Sequence, residues 1–359
     1  MGKSIQRDFR NILIVKPSAM GDVITALPIL TPLRQKFPQA KIAWLVATRW
    51  APLLRGHPLI DEIVEFDRRR FGYVGRSWVV SKRFGRFLRS LRDRRYDLVL
   101  DLQGLFRSSF LTWATRAAVR IGPAEKRELG WLFYTHRCPP SPTNTHVVDR
   151  ILSAGQLLDL DVSNPTFPLP VSDDARQSVA RALRDRLDRR SDYVTFTPGA
   201  TWASKRWPAQ HFAELARMVV DELDLPVVLT GANGERPLCD QVVEQSRSPR
   251  VVNLAGQTAL PELVALIAAA KAVVCNDSGA MHLAVALNRP LSVVIGPTNA
   301  DRTGPYRRPE SILQAHCPDA PCLKRTCEKL PDPALPAPCM ESVSAKHVFD
   351  NLVSQLAAT

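Results

Sequence analysis

Asp277, Ser278, Gly279 and His282 stand together in the stretch AVVCNDSGAMHLAVALNRPLSVVIGPT, residues 272–298. The apolar run 272–275 reads as a buried strand, the polar turn 276–279 leads into a helix, and 291–295 reads as a second buried strand. A strand that enters a helix through a tight Ser-Gly turn aims backbone N–H groups at one point. The helix dipole adds partial positive charge there, so the turn suits a phosphate. An Asp-Ser-Gly turn also serves simply to cap a helix. On this stretch alone both uses stand open.

Four other loops carry polar side chains just past an apolar run. Lys16-Pro17-Ser18-Ala19-Met20-Gly21-Asp22 opens a helix, and Asp22 is either a capping acid or a carboxylate able to take a proton from a hydroxyl. Asp101-Leu102-Gln103-Gly104-Leu105-Phe106-Arg107 offers Gln103 and Arg107 to a polyhydroxy or acidic ligand, or spends them on turn chemistry and a solvated charge. Gly199-Ala200-Thr201, followed by adjacent Lys205 and Arg206, suits a diphosphate: the turn donates N–H groups and the cations neutralise charge. Glu235 follows the apolar run 227–230, where an acid commonly binds ribose hydroxyls, or it is an exposed first-turn acid.

These loops need rigid elements behind them. In the first half, strand-like runs at 12–16, 42–46, 63–66, 98–101 and 119–122 alternate with helical patterns. In the second half the runs fall at 193–197, 227–230, 251–254, 272–275, 291–295 and 312–314. Such alternation predicts parallel sheets with helices on both faces. Proline-rich breaks at 139–142 and 164–170, with a helix over 147–159 between them, mark an edge between two domains. Open α/β sheets bind ligands at the C-terminal ends of their strands, so two of them in tandem present their loops to a shared cleft.

At 359 residues and 45% apolar content the chain has material for two ordinary cores. The segment MGKSIQRDFRNILIV reads as a charged lead and a strand rather than a signal peptide, and Gln6 breaks a myristoylation pattern. The most apolar window, 263–275, is interrupted by Lys271 and too short to span a bilayer, so a cytoplasmic protein is expected.

The net charge of +13 is concentrated: residues 68–95 hold eleven Lys and Arg against one acid, Asp93. Within them Val80, Phe84, Phe87, Leu88 and Leu91 mark one helical face. The arginines of this helix, Arg83, Arg86 and Arg89 among them, are either solvated or a surface for an anionic partner. No RNA-binding aromatic motif accompanies them, which ranks nucleic acid below an acidic lipid or a phosphorylated glycolipid. Cys138, Cys239 and Cys275 are scattered and suit packing, whereas Cys317, Cys322, Cys327 and Cys339 follow a C-x4-C-x4-C-x11-C spacing in a proline-rich loop. That spacing is not a standard zinc pattern, and it leaves a metal, disulfides or free thiols open.

The segments ILIVKPSAMGDVITALP, DLQGLFRS, TPGATWASKRWP, LTGANGE and NDSGAMHLAVALNRPLSVVIGPTNADRTGPY occur in that order along nearly the whole chain. In this the chain resembles the lipopolysaccharide heptosyltransferases, glycosyltransferase family 9. The resemblance implies a GT-B fold: two Rossmann-like parallel-sheet domains facing across a cleft, over 1–165 and 166–340. The helix within 341–359 would cross back to the first domain. It implies inverting transfer of L-glycero-D-manno-heptose from ADP-heptose to a sugar hydroxyl of the inner core, with no metal required.

Residue by residue, Asp22 matches the proposed base, Lys205 the lysine that steadies the diphosphate, and Glu235 the acid at the ribose. Asp277, Ser278, Gly279 and His282 match the donor-binding loop, with Thr201 on the facing turn, and Ser18 matches a polar residue near the transferred sugar. Gln103, Arg107, Arg83, Arg86 and Arg89 are then the expected acceptor contacts. Members often carry two small hydroxyl residues before the Gly-Asp pair, where this chain has Ala19, and Pro17 replaces a commonly polar position. Both departures bear on the acceptor side. The implied partners are the nucleotide sugar, an anionic glycolipid and the inner face of the inner membrane, with no nucleic acid. The alternatives are transfer of another nucleotide-activated sugar, heptosylation of a protein, and a non-catalytic basic protein that holds membrane or nucleic acid.

Overall fold

The computed structural model describes the chain apart from residues 1–3, 68, 69, 126, 140, 141, 143, 144, 185, 188–191, 331, 333, 334 and 359, and for 127 only the backbone. Arg68 and Arg69 of the basic segment, and Pro140 and Ser141 of the first proline-rich break, therefore lie outside the described residues. The chain divides into two compact units, Met1–Pro170 and Val171–Thr359.

In the first unit the strands are β1 (Asn11–Val15), β2 (Lys41–Ala47), β3 (Glu62–Phe66), β4 (Leu98–Asp101), β5 (Val119–Gly122) and β6 (His136–Arg137). All pairs are parallel, in the order β3-β2-β1-β4-β5-β6. The helices are α1 (Met20–Ala26), α2 (Leu30–Lys36), α3 (Trp78–Asp93), α4 (Phe106–Ala114) and α5 (Val147–Gln156). A parallel sheet covered on both faces demands continuous apolar strands. NILIV and LVLD supply them, and Ile12, Leu13, Ile14 and Leu98–Leu100 are fully buried. The short β6 carries two polar residues with no alternation, so its sequence gives no strand signal.

The helix α3 starts where the Ser77 hydroxyl accepts a hydrogen bond from the Val80 N–H at 3.4 Å. Its apolar face meets the sheet: Leu91 is buried with Leu13, Val15, Leu45 and Phe66, and Phe84, Phe87 and Leu88 pack alongside. Burying side chains of this size is worth about 1.5–3 kcal/mol each, which leaves the arginines of the opposite face in solvent.

The second unit repeats the plan. Its strands are β7 (Val194–Thr197), β8 (Val227–Leu229), β9 (Val251–Asn253), β10 (Ala272–Asn276), β11 (Leu291–Ile295) and β12 (Ile312–Gln314), all parallel in the order β12-β11-β10-β7-β8-β9. Its helices are α6 (Asp173–Arg184), α7 (Ala209–Leu223), α8 (Arg236–Ser246), α9 (Leu260–Ala269), α10 (Gly279–Ala286), α11 (Ala300–Thr303) and α12 (Ala345–Ala357). Trp207, Phe212 and Phe196 form its aromatic centre, with ring centroids 4.8 and 5.9 Å apart.

Two segments at the edges of the expected domains have defined places. The segment around residues 164–170 belongs to the first unit, where the His57 Nε2–H donates to the Pro168 carbonyl and the Thr31 and Thr166 hydroxyls lie 3.4 Å apart. The C-terminal helix α12 packs within the second unit. Ala345, Val348, Phe349 and Leu352 of α12 are buried with Val219 of α7 and with Val274 and Val294 of β10 and β11. Its lead-in is tied down as well, since Trp207 Nε1–H donates to the Val343 carbonyl at 2.8 Å and His211 Nδ1 lies 3.1 Å from the same oxygen.

The strand orders are the same in both units. The winding reverses between β1 and β4 in one and between β7 and β10 in the other. Ligand crevices in doubly wound sheets open at that reversal, past the carboxyl ends of the strands.

Candidate functional site

At the reversal of the second unit, two loops are bolted together by Asn276, which is fully buried at the end of β10. Its Nδ2 donates to the Pro198 carbonyl at 2.7 Å, and its Oδ1 accepts from the Trp207 N–H at 3.0 Å. The loop after β7 is thereby held against the turn that opens α10. Lys205, in a single 3-10 turn over Ala203–Lys205, extends its ammonium to Asp277, Nζ to Oδ2 2.7 Å, and lies 4.7 Å from the Trp202 ring centroid. The Thr298 hydroxyl donates to the same Asp277 oxygen at 2.5 Å. Thus Asp277 aims a cation at the mouth of the turn rather than capping the helix.

Ser278 occupies the N-cap position of α10, yet its hydroxyl makes no cap bond. That oxygen is buried without a hydrogen-bond partner among the described residues. An unsatisfied buried hydroxyl costs about 1–3 kcal/mol, so its retention beside a cation and a helix N-terminus fits a group that receives a ligand. Gly279 begins α10, and His282 lies in its first turn. Arg206, paired with Lys205 in the sequence reading, donates from Nε to the Ala200 carbonyl at 3.1 Å and braces the turn. Thr201 is exposed on that turn.

Glu235 closes this side. Its Oε2 accepts from the Ala232 N–H at 2.7 Å, so the carboxylate folds back over the end of β8. It lies directly against the backbone of Gly199: a Cβ there would overlap Oε1, and one at Gly231 would sit 2.9 Å from Oε2. The glycines of TPGA and LTGA are therefore the space that Glu235 occupies.

At the reversal of the first unit, Asp22 is the third residue of α1, and its Oδ2 accepts from the Ala19 N–H at 2.7 Å. Its Oδ1 stands 3.5 Å from the ammonium of Lys16, which is buried and donates to the Leu102 carbonyl at 2.8 Å. Asp22 is half-exposed and, with Lys16, Gln103, Glu125 and Arg150, lines a cavity of about 330 Å³. The Gln103 amide oxygen is buried with no partner among the described residues. Behind it Asp101 is fully buried and accepts from the N–H groups of Gln103 and Gly104 at 2.9 and 3.0 Å and from the Tyr134 hydroxyl at 2.8 Å. Burial pushes the Asp101 carboxyl above the usual carboxylate range in spite of those bonds. Its place is to shape the loop that carries Gln103.

Ser18 is half-buried in the Asp22 loop, while Arg107 is exposed on α4, outside the lining of the cavity. Arg83, Arg86 and Arg89 are exposed on α3. The four C-terminal cysteines are free thiols, and among the described residues no group of three or more His, Cys, Asp or Glu is arranged to hold a metal ion. Cys327 and Cys339 lie against the apolar core of the second unit, and burial together with the neighbouring thiols of Cys317, Cys327 and Cys322 pushes the Cys339 thiol up to about 11. The sequence reading passed over Lys16, Asn276 and Thr298. The first had a signal, a lysine ending an apolar strand, while the others sit inside quoted motifs with nothing in their type to mark a bracing role.

Two doubly wound sheets of the same strand order, one with Asp22 at its reversal and the other with the Lys205–Asp277 pair at its reversal, make a GT-B type α/β fold. The family model described as "Glycosyltransferase family 9 (heptosyltransferase)" matches residues 84–331. The chain is 31% identical to lipopolysaccharide heptosyltransferase 1 of Pseudomonas aeruginosa over 89% of its length and 88% of that protein's. It is 29% identical to lipopolysaccharide heptosyltransferase 2 of Escherichia coli, over 84% and 87% respectively. Among solved structures, E. coli ADP-heptose LPS heptosyltransferase II superposes with a TM-score of 0.76 at 26% identity, covering 97% of this chain and 99% of that one. The chain belongs to glycosyltransferase family 9.

Proposed function

We propose that this protein transfers L-glycero-D-manno-heptose from ADP-heptose to a sugar hydroxyl of the lipopolysaccharide inner core, with inversion at the anomeric carbon. The observation that carries the reading is the Lys205–Asp277 pair at 2.7 Å beside the unpartnered Ser278 hydroxyl. The names of the relatives, heptosyltransferases 1 and 2, support the sugar and the core acceptor.

In this mechanism the acceptor hydroxyl attacks the anomeric carbon and its proton passes to Asp22. The bond from that carbon to the diphosphate oxygen breaks, and the negative charge appearing on ADP is met by Lys205 Nζ, the N–H groups at Ser278–Gly279 and the dipole of α10. Glu235 takes the ribose hydroxyls, and Thr201 and His282 complete the donor contacts. Ser18 lies near the transferred sugar, and Gln103 and Arg107 meet the acceptor. Transfer requires the loops of the two units to meet around one sugar. The exposed Arg83, Arg86 and Arg89 receive the anionic glycolipid and the inner-leaflet surface that carries it. No helix among the described residues is long and apolar enough to cross a membrane.

Replacing the base tests this mechanism. Asp22→Asn should lower kcat by about 10²–10⁴-fold, the usual worth of a general base, while calorimetric binding of ADP stays at the wild-type level. Retained turnover would remove Asp22 from the role, and absent ADP binding in the wild type would remove the donor.

A further inference from the structure

Beside the basic helix the structure turns large apolar side chains into solvent. The helices α3 and α4 lie side by side on one face of the first sheet: Phe84 and Phe110 stack at 6.4 Å, and Arg92 Nε donates to the Ala114 carbonyl at 3.1 Å. On α4, Phe106, Phe110 and Trp113 recur at i, i+4 and i+7, one helical face. Phe133 packs against all three rings at 5.6–6.3 Å. The short helical segment that brings Phe133 there, Arg127–Phe133, is locked onto α4. Glu128 Oε2 accepts from the Phe106 N–H at 3.1 Å, and a Cβ on Gly130 would lie 2.5 Å from Ser109 Oγ.

With its inner side so fixed, this segment leaves Leu129 60% and Leu132 58% exposed, next to the half-exposed Phe106 and Trp113. Leu129 has φ +60°, the left-handed region a leucine rarely adopts, and that backbone carries its side chain outward. At the head of α3, Trp78 is 75% exposed beside Lys82, whose ammonium lies 4.9 Å from its ring centroid. A scattered leucine on a surface needs no account. A rigid apolar ridge abutting a cationic helix matches what binds in the plane of a bilayer interface, where aromatic and aliphatic groups enter the headgroup region and arginines meet anionic lipid.

The geometry points to this ridge, Phe106, Trp113, Leu129 and Leu132 with Trp78, as an insertion surface for an acidic lipid bilayer. It rests on the reading that the acceptor is a glycolipid, and adds to the arginines an apolar grip that salt cannot screen. An anionic membrane is the occupant favoured by charge, since the cations of α3 border the ridge and would repel a second copy of the same face.

Co-sedimentation with vesicles of phosphatidylglycerol and phosphatidylethanolamine tests it, in about 0.1 M and about 1 M NaCl, between which the screening length falls from about 10 to about 3 Å. The full chain should stay partly bound at high salt. A Leu129→Ser, Leu132→Ser variant should bind roughly tenfold or more weakly there, with its melting temperature unchanged. A Leu129→Trp variant should be quenched by lipids brominated near the headgroup. Complete release of the wild type at high salt, equal binding by the serine variant, or a leucine-dependent dimer without vesicles would each overturn the ridge. An Arg83→Ser, Arg86→Ser, Arg89→Ser variant separates the two ideas. If it binds as wild type while the leucine variant falls, the ridge stands and the basic-face reading fails.

Discussion

Removing the ammonium of Lys205 strands Asp277. Lys205 and Asp277 retain only 16% and 7% side-chain exposure, and Lys205→Met fills the same space without charge. Breaking a buried pair by deleting one partner costs about 3–5 kcal/mol. Here the Thr298 hydroxyl keeps one bond to the Asp277 carboxylate, and the lysine is not fully enclosed, so about 2–3 kcal/mol is the expected loss. For a domain of this size class each kcal/mol moves the midpoint by about 2–4 °C, giving a fall of about 4–12 °C.

Function should suffer separately. A charge-assisted contact to the diphosphate is worth about 1.5–3 kcal/mol, so ADP should bind roughly 10–100-fold more weakly. Scanning calorimetry with and without ligand reads both effects. The variant should melt lower, lose most of the stabilisation by ADP, and keep whatever stabilisation adenosine gives. Adding Asp277→Asn should restore part of the melting temperature, because the stranded charge is gone, but not the response to ADP. A Lys205→Met protein that melts like wild type and is protected equally by ADP would refute the pairing argument and the diphosphate role together.

Gly199→Ala places a methyl group where Glu235 Oε1 now lies. The carboxylate must move, at a cost of about 1–3 kcal/mol, so titration calorimetry should show adenosine and ADP both weakened by roughly 5–100-fold. His57 provides a pH signature: its Nδ1 accepts from the Leu59 N–H at 3.1 Å and its Nε2–H donates to Pro168, so both nitrogens are committed to the neutral ring. Burial, only partly offset by the Pro168 bond, holds its pKa below the usual 6.5. The unfolded chain therefore takes up the proton first, and the contribution of His57 is complete above pH 6.5 and is lost as pH falls through its lower folded value. Denaturant melts across pH 5–7 should show a shallower decline for His57→Gln than for wild type.

The parallel sheets were legible because strands buried on both faces must be continuous apolar runs, and eleven such runs recur between helical patterns. The sixth strand of the first unit was not, since His136–Arg137 carries neither an apolar run nor an alternation. The place of α12 was equally hidden: its stripe of Ala345, Val348, Phe349 and Leu352 states that it packs, and only the Trp207–Val343 bond and the cluster with Val219, Val274 and Val294 show against what. At the site, residue type and spacing pointed to Lys205 and Asp277 separately, but their pairing depends on Asn276 clamping two loops that lie far apart in sequence. Arg206 shows a second role that type alone hides: besides standing next to Lys205, it ties the turn through its Nε bond to the Ala200 carbonyl. The ridge beside α3 was invisible because isolated Leu and Phe residues read as core until a backbone shows that they face outward.

The central claim is chemical, and one reaction tests it. The purified chain should be incubated with ADP-heptose and a lipid acceptor whose inner core lacks heptose, and the acceptor followed by mass spectrometry and by NMR of the new anomeric centre. The account predicts that the acceptor gains one heptose, that ADP is released in equal amount, and that the new linkage has the configuration opposite to the donor's. No gain in mass, or a linkage that retains the donor configuration, would contradict it.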